Sequence, residues 1–107
     1  MITTGRTLLA MLAAAAAIAG AAPAHADPDI DFANQLQSFG IYGPRDYNAW
    51  LGKITCKRLA RGVDGDASAS VAFIVKNLDR DNTATQAAQF LGAAVTTYCP
   101  DIAGVLR

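Results

Sequence analysis

Apolar residues recur at helical spacing in four stretches of the 107-residue chain. Phe32, Leu36 and Phe39 stand at i, i+4 and i+7, which predicts a helix from Asp29 to about Phe39. Pro28 suits its first turn, Asp29 and Asp31 favour its positive end, and Gly40 reads as the residue that stops it. A second helix starts near Pro44 and runs to about Arg61, with Tyr47, Leu51 and Ile54 as its apolar stripe, Trp50 alongside and Gly62 at its end. Asp66 is a good N-cap for a third, Ala67 to Leu78. There Val71, Ile74, Val75 and Leu78 follow a 3.6-residue period and not the alternation of a strand, although valine and isoleucine suit strands well. Thr83 and Gln86 form a capping box for a fourth helix ending near Cys99, with Ala87, Phe90, Leu91 and Ala94 facing inward. After Pro100, Ile102 and Leu106 are placed for one more turn. The fold class is all-α, a small bundle of about four short helices.

One apolar run does not belong to that bundle. Leu8 to Ala22 follows the basic Arg6, is broken by Pro23, and leads to the small-x-small triplet Ala24-His25-Ala26. This is the pattern of a secretory signal peptide cut between Ala26 and Asp27. The run is shorter than the roughly 20 apolar residues a membrane-spanning helix needs. It carries neither twin arginines nor a cysteine at the cleavage site. Residues 1–26 are therefore read as the signal, and residues 27–107 as a single exported domain with no transmembrane anchor, secreted or held in the cell envelope.

Cleavage changes the chemistry that is left. The only histidine is His25, and both methionines, Met1 and Met11, lie in the signal. All nine acidic residues are aspartates, so the mature chain holds no His, Met or Glu. Eight basic side chains against nine aspartates give no pointer to nucleic acid. Zinc wants about four Cys or His ligands, which Cys56 and Cys99 alone do not supply. There is no Cys-x-x-Cys, and a cysteine nucleophile would lack its usual histidine base. Two cysteines in an exported chain pair as a structural disulfide. Gly52 lies at i−4 to Cys56 and Gly92 at i−7 to Cys99, so each cysteine shares a helix face with a glycine that lets backbones approach.

Catalysis would rest on Asp, Lys and Tyr. Asp64 with Asp66, and Asp79 with Asp81, read better as turn and cap residues than as paired carboxylates. Both segments fail as calcium loops, because Ala69 and Ala84 take the glycine position and Val75 and Phe90 the final glutamate position. A haem carrier would have only Tyr42, Tyr47 or Tyr98 to bind iron, or would hold haem by stacking without a ligand. The one unusual charge feature is a basic ridge of Lys53, Lys57, Arg58 and Arg61 on the second helix, with Tyr42, Tyr47 and Trp50 near its start. A solvated helix face is the commoner cause of such spacing. Exposed aromatics beside the ridge would suit an acidic protein or an envelope polyanion.

The chain resembles the mycobacterial family of small exported proteins catalogued as domain of unknown function 732. The resemblance is carried in order by "AHADPDIDF", "FANQLQSFGI", "WLGKITCKRL" and "QAAQFLGAAVTTYCPD", and covers essentially all of the mature chain. Its second helix, "KITCKRLARG", is more basic than the family's usual Ala-rich version. The resemblance implies a helical domain with one disulfide, Cys56 to Cys99, and no established activity. The expected role is that of a non-enzymatic, cofactor-free protein acting by contact with a protein or envelope partner. The alternative is a small-ligand carrier, for haem or a lipid.

Overall fold

The computed structural model describes residues 27–106, and the signal peptide assigned to residues 1–26 lies outside them. Four α-helices follow one another: α1 Pro28–Ser38, α2 Arg45–Ala60, α3 Ala67–Asn77 and α4 Ala84–Tyr98. A 3-10 segment, Pro100–Leu106, kinked at Ile102, closes the chain. The all-α reading holds, and α4 is its axis, packing against α1, α2, α3 and the 3-10 segment.

Local signals set the helix ends. Asp27 caps α1, its carboxylate accepting from the Asp29 N–H at 2.9 Å. Asp66 caps α3 by accepting from the Ala69 N–H. The capping box on α4 is complete: Thr83 Oγ1 accepts from the Gln86 N–H, and Gln86 Oε1 accepts from the Thr83 N–H. At the end of α1 the Gly40 N–H bonds the Gln37 carbonyl and the Ile41 N–H bonds Leu36. Gly40 has φ 79°, where a side chain would be strained, and the turn drops Ile41 into the core. Gly62, with φ 72°, ends α2 in the same conformation, but the residue after it, Val63, is exposed.

Phe32, Leu36, Ile41, Leu51, Ile74, Phe90 and Val95 are fully buried. The Phe32 ring meets Phe90 edge-on at 5.2 Å and Tyr98 at 5.1 Å. Cys56 and Cys99 are bonded, with Cα atoms 6.0 Å apart and a separation of 43 positions in sequence. No free cysteine is present among the described residues.

The buried face of α2 departs from the stripe expected of it. Tyr47 and Trp50 are exposed and Ile54 is half-buried, while Asn48, Ala49, Leu51, Gly52, Thr55, Cys56 and Leu59 face inward. Small residues form that face because Phe32 and Tyr98 cross directly over it. A methyl built on Gly52 would lie 3.0 Å from Tyr98 Cε2 and 3.1 Å from Phe32. Gly52 thus admits two aromatic rings rather than a second helix backbone. Gly92, offered the same role, has nothing within 4 Å of the corresponding position. In α3, Ile74 is buried but Val75 points outward, its place on the inner face taken by Ser70.

Candidate functional site

The basic ridge divides into two pairs with different surroundings. Lys53 Nζ lies 3.3 Å from Asp29 Oδ2 and 5.5 Å from the centre of the Tyr98 ring. Tyr98 in turn donates its hydroxyl to Asp29 Oδ1 at 2.7 Å. That bond, aided by Lys53 and opposed by partial burial, holds the Asp29 carboxyl below its ordinary range. Burial, then the bond to Asp29, pushes the Tyr98 phenol above its own. Arg58 makes a two-pronged pair with Asp64, Nη2 to Oδ1 at 2.9 Å and Nε to Oδ2 at 3.1 Å, and its guanidinium lies 4.0 Å over the Phe73 ring. Lys57 and Arg61 are exposed and form no ion pair among the described residues. Lys53 and Arg58 therefore tie helices together, and only Lys57 and Arg61 offer uncompensated charge.

Asp64 is not the solvated turn residue its loop position implies. It is buried, accepting from Arg58 and, at 3.0 Å, from the Ser70 hydroxyl. The Arg58 bonds lower its pKa against the opposing pull of burial. Its partners lie six residues away on either side, one on α2 and one on α3, so the carboxylate clamps those helices. Asp66 is the cap of α3, as expected.

A cleft opens at the other end of the bundle. The loop between α1 and α2, with the start of α2, supplies Tyr42, Gly43, Pro44, Tyr47 and Asn48, and the end of α3 supplies Asn77, Leu78 and Asp79. They enclose about 130 Å³. A larger hollow of about 250 Å³ adjoins it through Tyr42, Gly43 and Asp79, and adds Gly40, Asp81 and Asn82. Two bonds fix the walls. The Tyr47 hydroxyl donates to the Asn77 carbonyl at 2.7 Å, joining α2 to α3. Gln86 Nε2 donates to the Phe39 carbonyl at 3.1 Å, so the residue that caps α4 also anchors the loop after α1.

Two exposed aromatics, Tyr42 and Tyr47, line the cleft, and Trp50 stands beside Tyr47. Tyr42 is 68% exposed, Trp50 50% and Tyr47 41%. Tyr47 and Trp50 are 5.8 Å apart and tilted by 38°, an open platform rather than a closed cage. Trp50, Lys57 and Arg61, at i, i+7 and i+11, share the outer face of α2. The sequence contains these aromatics in plain view, but their joint exposure follows from the inward turn of the small-residue face.

Among the described residues no cluster of three or more His, Cys, Asp or Glu side chains could hold a metal ion. Each of the two hollows, at about 130 and 250 Å³, is smaller than the roughly 300–1,000 Å³ of pockets that enclose drug-sized ligands. Two of the three tyrosines considered for haem already spend their hydroxyls on protein acceptors, Tyr47 on Asn77 and Tyr98 on Asp29. No helix among the described residues is long and apolar enough to cross a membrane.

These features define a class: a small disulfide-clamped helical bundle with an aromatic-rimmed cleft at one end. The chain belongs to the family described as Protein of unknown function (DUF732), whose model matches residues 26–101. It is similar to an uncharacterized protein of Mycobacterium tuberculosis strain CDC 1551 / Oshkosh, MT0585, with 59% identity over 93 residues, covering 86% of this chain and 83% of that protein. The uncharacterized protein Rv0559c of strain ATCC 25618 / H37Rv matches with the same identity and coverage. No solved structure matches the chain.

Proposed function

We propose that this is an exported, non-enzymatic protein that works by surface contact with a protein or a component of the cell envelope. The contact face is the outer side of α2 together with the cleft at its N-terminal end. One observation carries the reading: Tyr42, Tyr47 and Trp50 cluster on the surface beside the cleft, while Phe32 and Phe90 are fully buried. Exposed aromatic rings are what binding surfaces are enriched in. Lys57 and Arg61 extend the same face with charge that the rest of the fold leaves uncompensated. The narrow chemistry of the mature chain, with no His, Met or Glu, supports a binding role over a catalytic one.

The test is retention of the mature protein on cell-envelope extract, untreated and protease-digested. Trp50→Ala is expected to reduce retention on whichever extract retains the native protein. Lys57→Glu with Arg61→Glu should reduce it further at low salt than at high salt, since rim charges are screened. This pair is preferable to a change at Lys53 or Arg58, which would cut an internal ion pair. Retention lost on digestion identifies a protein partner; retention that survives identifies a non-protein component. Retention indifferent to both variants would overturn the assignment of this face.

A further inference from the structure

We infer that the cleft between the α1–α2 loop and the end of α3 is a saccharide site, taking one sugar ring of a neutral glycan. This rests on the reading of the cleft as part of the contact face, and gives its ligand a chemical class.

The leading observation is Asn48. Its side chain lines the cleft on the first turns of α2, the residue is only 5% exposed, and its amide makes no hydrogen bond among the described residues. A buried amide without a partner is costly, and buried polar groups are nearly always paired. No fully enclosed side-chain nitrogen or oxygen among the described residues lacks a partner, so the Asn48 amide must keep its contact with the cleft opening. Gly43 helps leave it bare. With φ 124° it takes a conformation that side chains rarely adopt, and a methyl built there would lie 3.7 Å from Asn48 Nδ2. The fold has placed a donor and an acceptor together at the floor of a cavity and committed neither.

The walls complete the chemistry. Asp79 and Asp81 form no ion pair among the described residues, and both border the outer hollow. Their carboxylates accept hydrogen bonds only, whereas the Asn48 amide both donates and accepts. A hydroxyl also does both. A ligand with several adjacent hydroxyls can give protons to Asp79 and to Asn48 Oδ1 while accepting from Asn48 Nδ2. Tyr42 presents an exposed ring on which the C–H face of a sugar can lie.

Competing ligands fit less well. A cation would gain from the carboxylates, the rings and Asn48 Oδ1, but it would leave the Asn48 NH₂ without an acceptor. The tilted Tyr47–Trp50 pair does not close into a cage around a charge. An anion would meet Asp79 and Asp81. An apolar chain would leave the amide unpaired. A volume of about 130 Å³ limits the inner site to a single ring, and the adjoining hollow gives the next unit a place over Asp81 and Asn82.

The test is an amide-resolved NMR titration of the disulfide-intact mature protein. The probes are maltotriose, cellotriose and mannotriose, each taken to roughly 50 mM, well above the about 1 mM constants of weak sites. Tetramethylammonium is a separate probe. The expected result is a saturable shift confined to residues 40–50 and 77–82 with at least one trisaccharide, little changed by added salt. Tyr42→Ala and Asn48→Ala should each weaken it about fivefold or more. Because its amide makes no hydrogen bond among the described residues, Asn48→Ala should also leave the melting temperature level or raise it. Three results would overturn the proposal: no saturable shift with any trisaccharide, shifts from tetramethylammonium alone, or an Asn48→Ala variant that melts markedly lower. If the sugars fail while Trp50→Ala still reduces envelope retention, the contact reading stands and the saccharide assignment falls.

Discussion

Asp64 and Tyr98 show how single side chains join helices distant in sequence, and both give this fold a pH signature. Asp29 and Asp64 have carboxyls held below their ordinary range by hydrogen bonds from Tyr98 and from Arg58. A depressed folded-state value means that the unfolded chain takes up protons first as pH falls. The stability these groups contribute is therefore complete above the unfolded value of about 3.9, and is lost as pH drops through the lower folded values. Urea midpoints should fall between pH 5 and pH 2 (a range of about three units around the carboxylate value), and Asp64→Asn should flatten that fall. At neutral pH Asp64→Ala should cost about 2 kcal/mol, since it leaves the buried Ser70 hydroxyl without its acceptor. The Tyr98 phenol behaves in the opposite sense. Its folded value is raised, so its contribution is complete below the ordinary value of about 10 and is lost as pH rises above it. An alkaline titration followed by tyrosinate absorbance should contain a late component that Tyr98→Phe removes. None of this was legible in the sequence. Asp64 sits in "VDGD", a turn by every local rule, and only the meeting of α2 with α3 buries it.

Helix boundaries were legible, and the face α2 turns inward was not. Caps and glycine stops are written in three to six consecutive residues, so Asp66, the Thr83–Gln86 box, Gly40 and Gly62 could be read directly. The choice of inner face depends on what crosses the helix. Of the apolar stripe Tyr47, Leu51 and Ile54, only Leu51 is fully buried; the rings of Phe32 and Tyr98 lie against Gly52, and Ala49 and Cys56 join the inner face in place of Tyr47 and Ile54. Two glycine substitutions separate the effects. Gly52→Ala gains about 1 kcal/mol of helix propensity but forces a methyl against two rings, so it should destabilise the protein by about 1–2 kcal/mol overall. Gly92→Ala meets nothing within 4 Å and should stabilise by about 0.5–1 kcal/mol. Thermal melting of the two variants checks both signs. The cleft belongs with what could not be read. Its walls are brought together by a bond from Tyr47 to Asn77 and another from Gln86 to Phe39, 30 and 47 residues apart. The one local hint was Asn48, a polar residue between Tyr47 and Trp50 with no cap or turn to serve.

For the molecule as a whole, the disulfide is the feature the sequence announced most clearly, since two cysteines in a chain read as exported leave few other roles. Closing a loop of 43 residues contributes about 4 kcal/mol in the chain-entropy picture. For a domain of this size that is a large part of the typical 5–15 kcal/mol of net stability. Cys99→Ser, or reduction, should lower the melting temperature by about 20 °C, given the roughly 4–8 °C per kcal/mol of small domains. An equal melting point with and without reductant would show that packing around Phe32 and Phe90 suffices alone. The bond also divides the chain in a way that packing does not. It makes a covalent ring of residues 56–99 that holds all of α3 and α4, while α1 hangs outside on the loop at residues 39–44. A protease that nicks the ring at residues 61–66 or 78–83 adds one water to the mass and releases nothing until reductant is added. A single cut at residues 39–44 sheds α1 at once, taking Phe32 out of the core and Asp29 away from Tyr98 and Lys53. The first fragment to appear in a limited digest should therefore be the N-terminal one, and the remainder should have lost its hold on Tyr98.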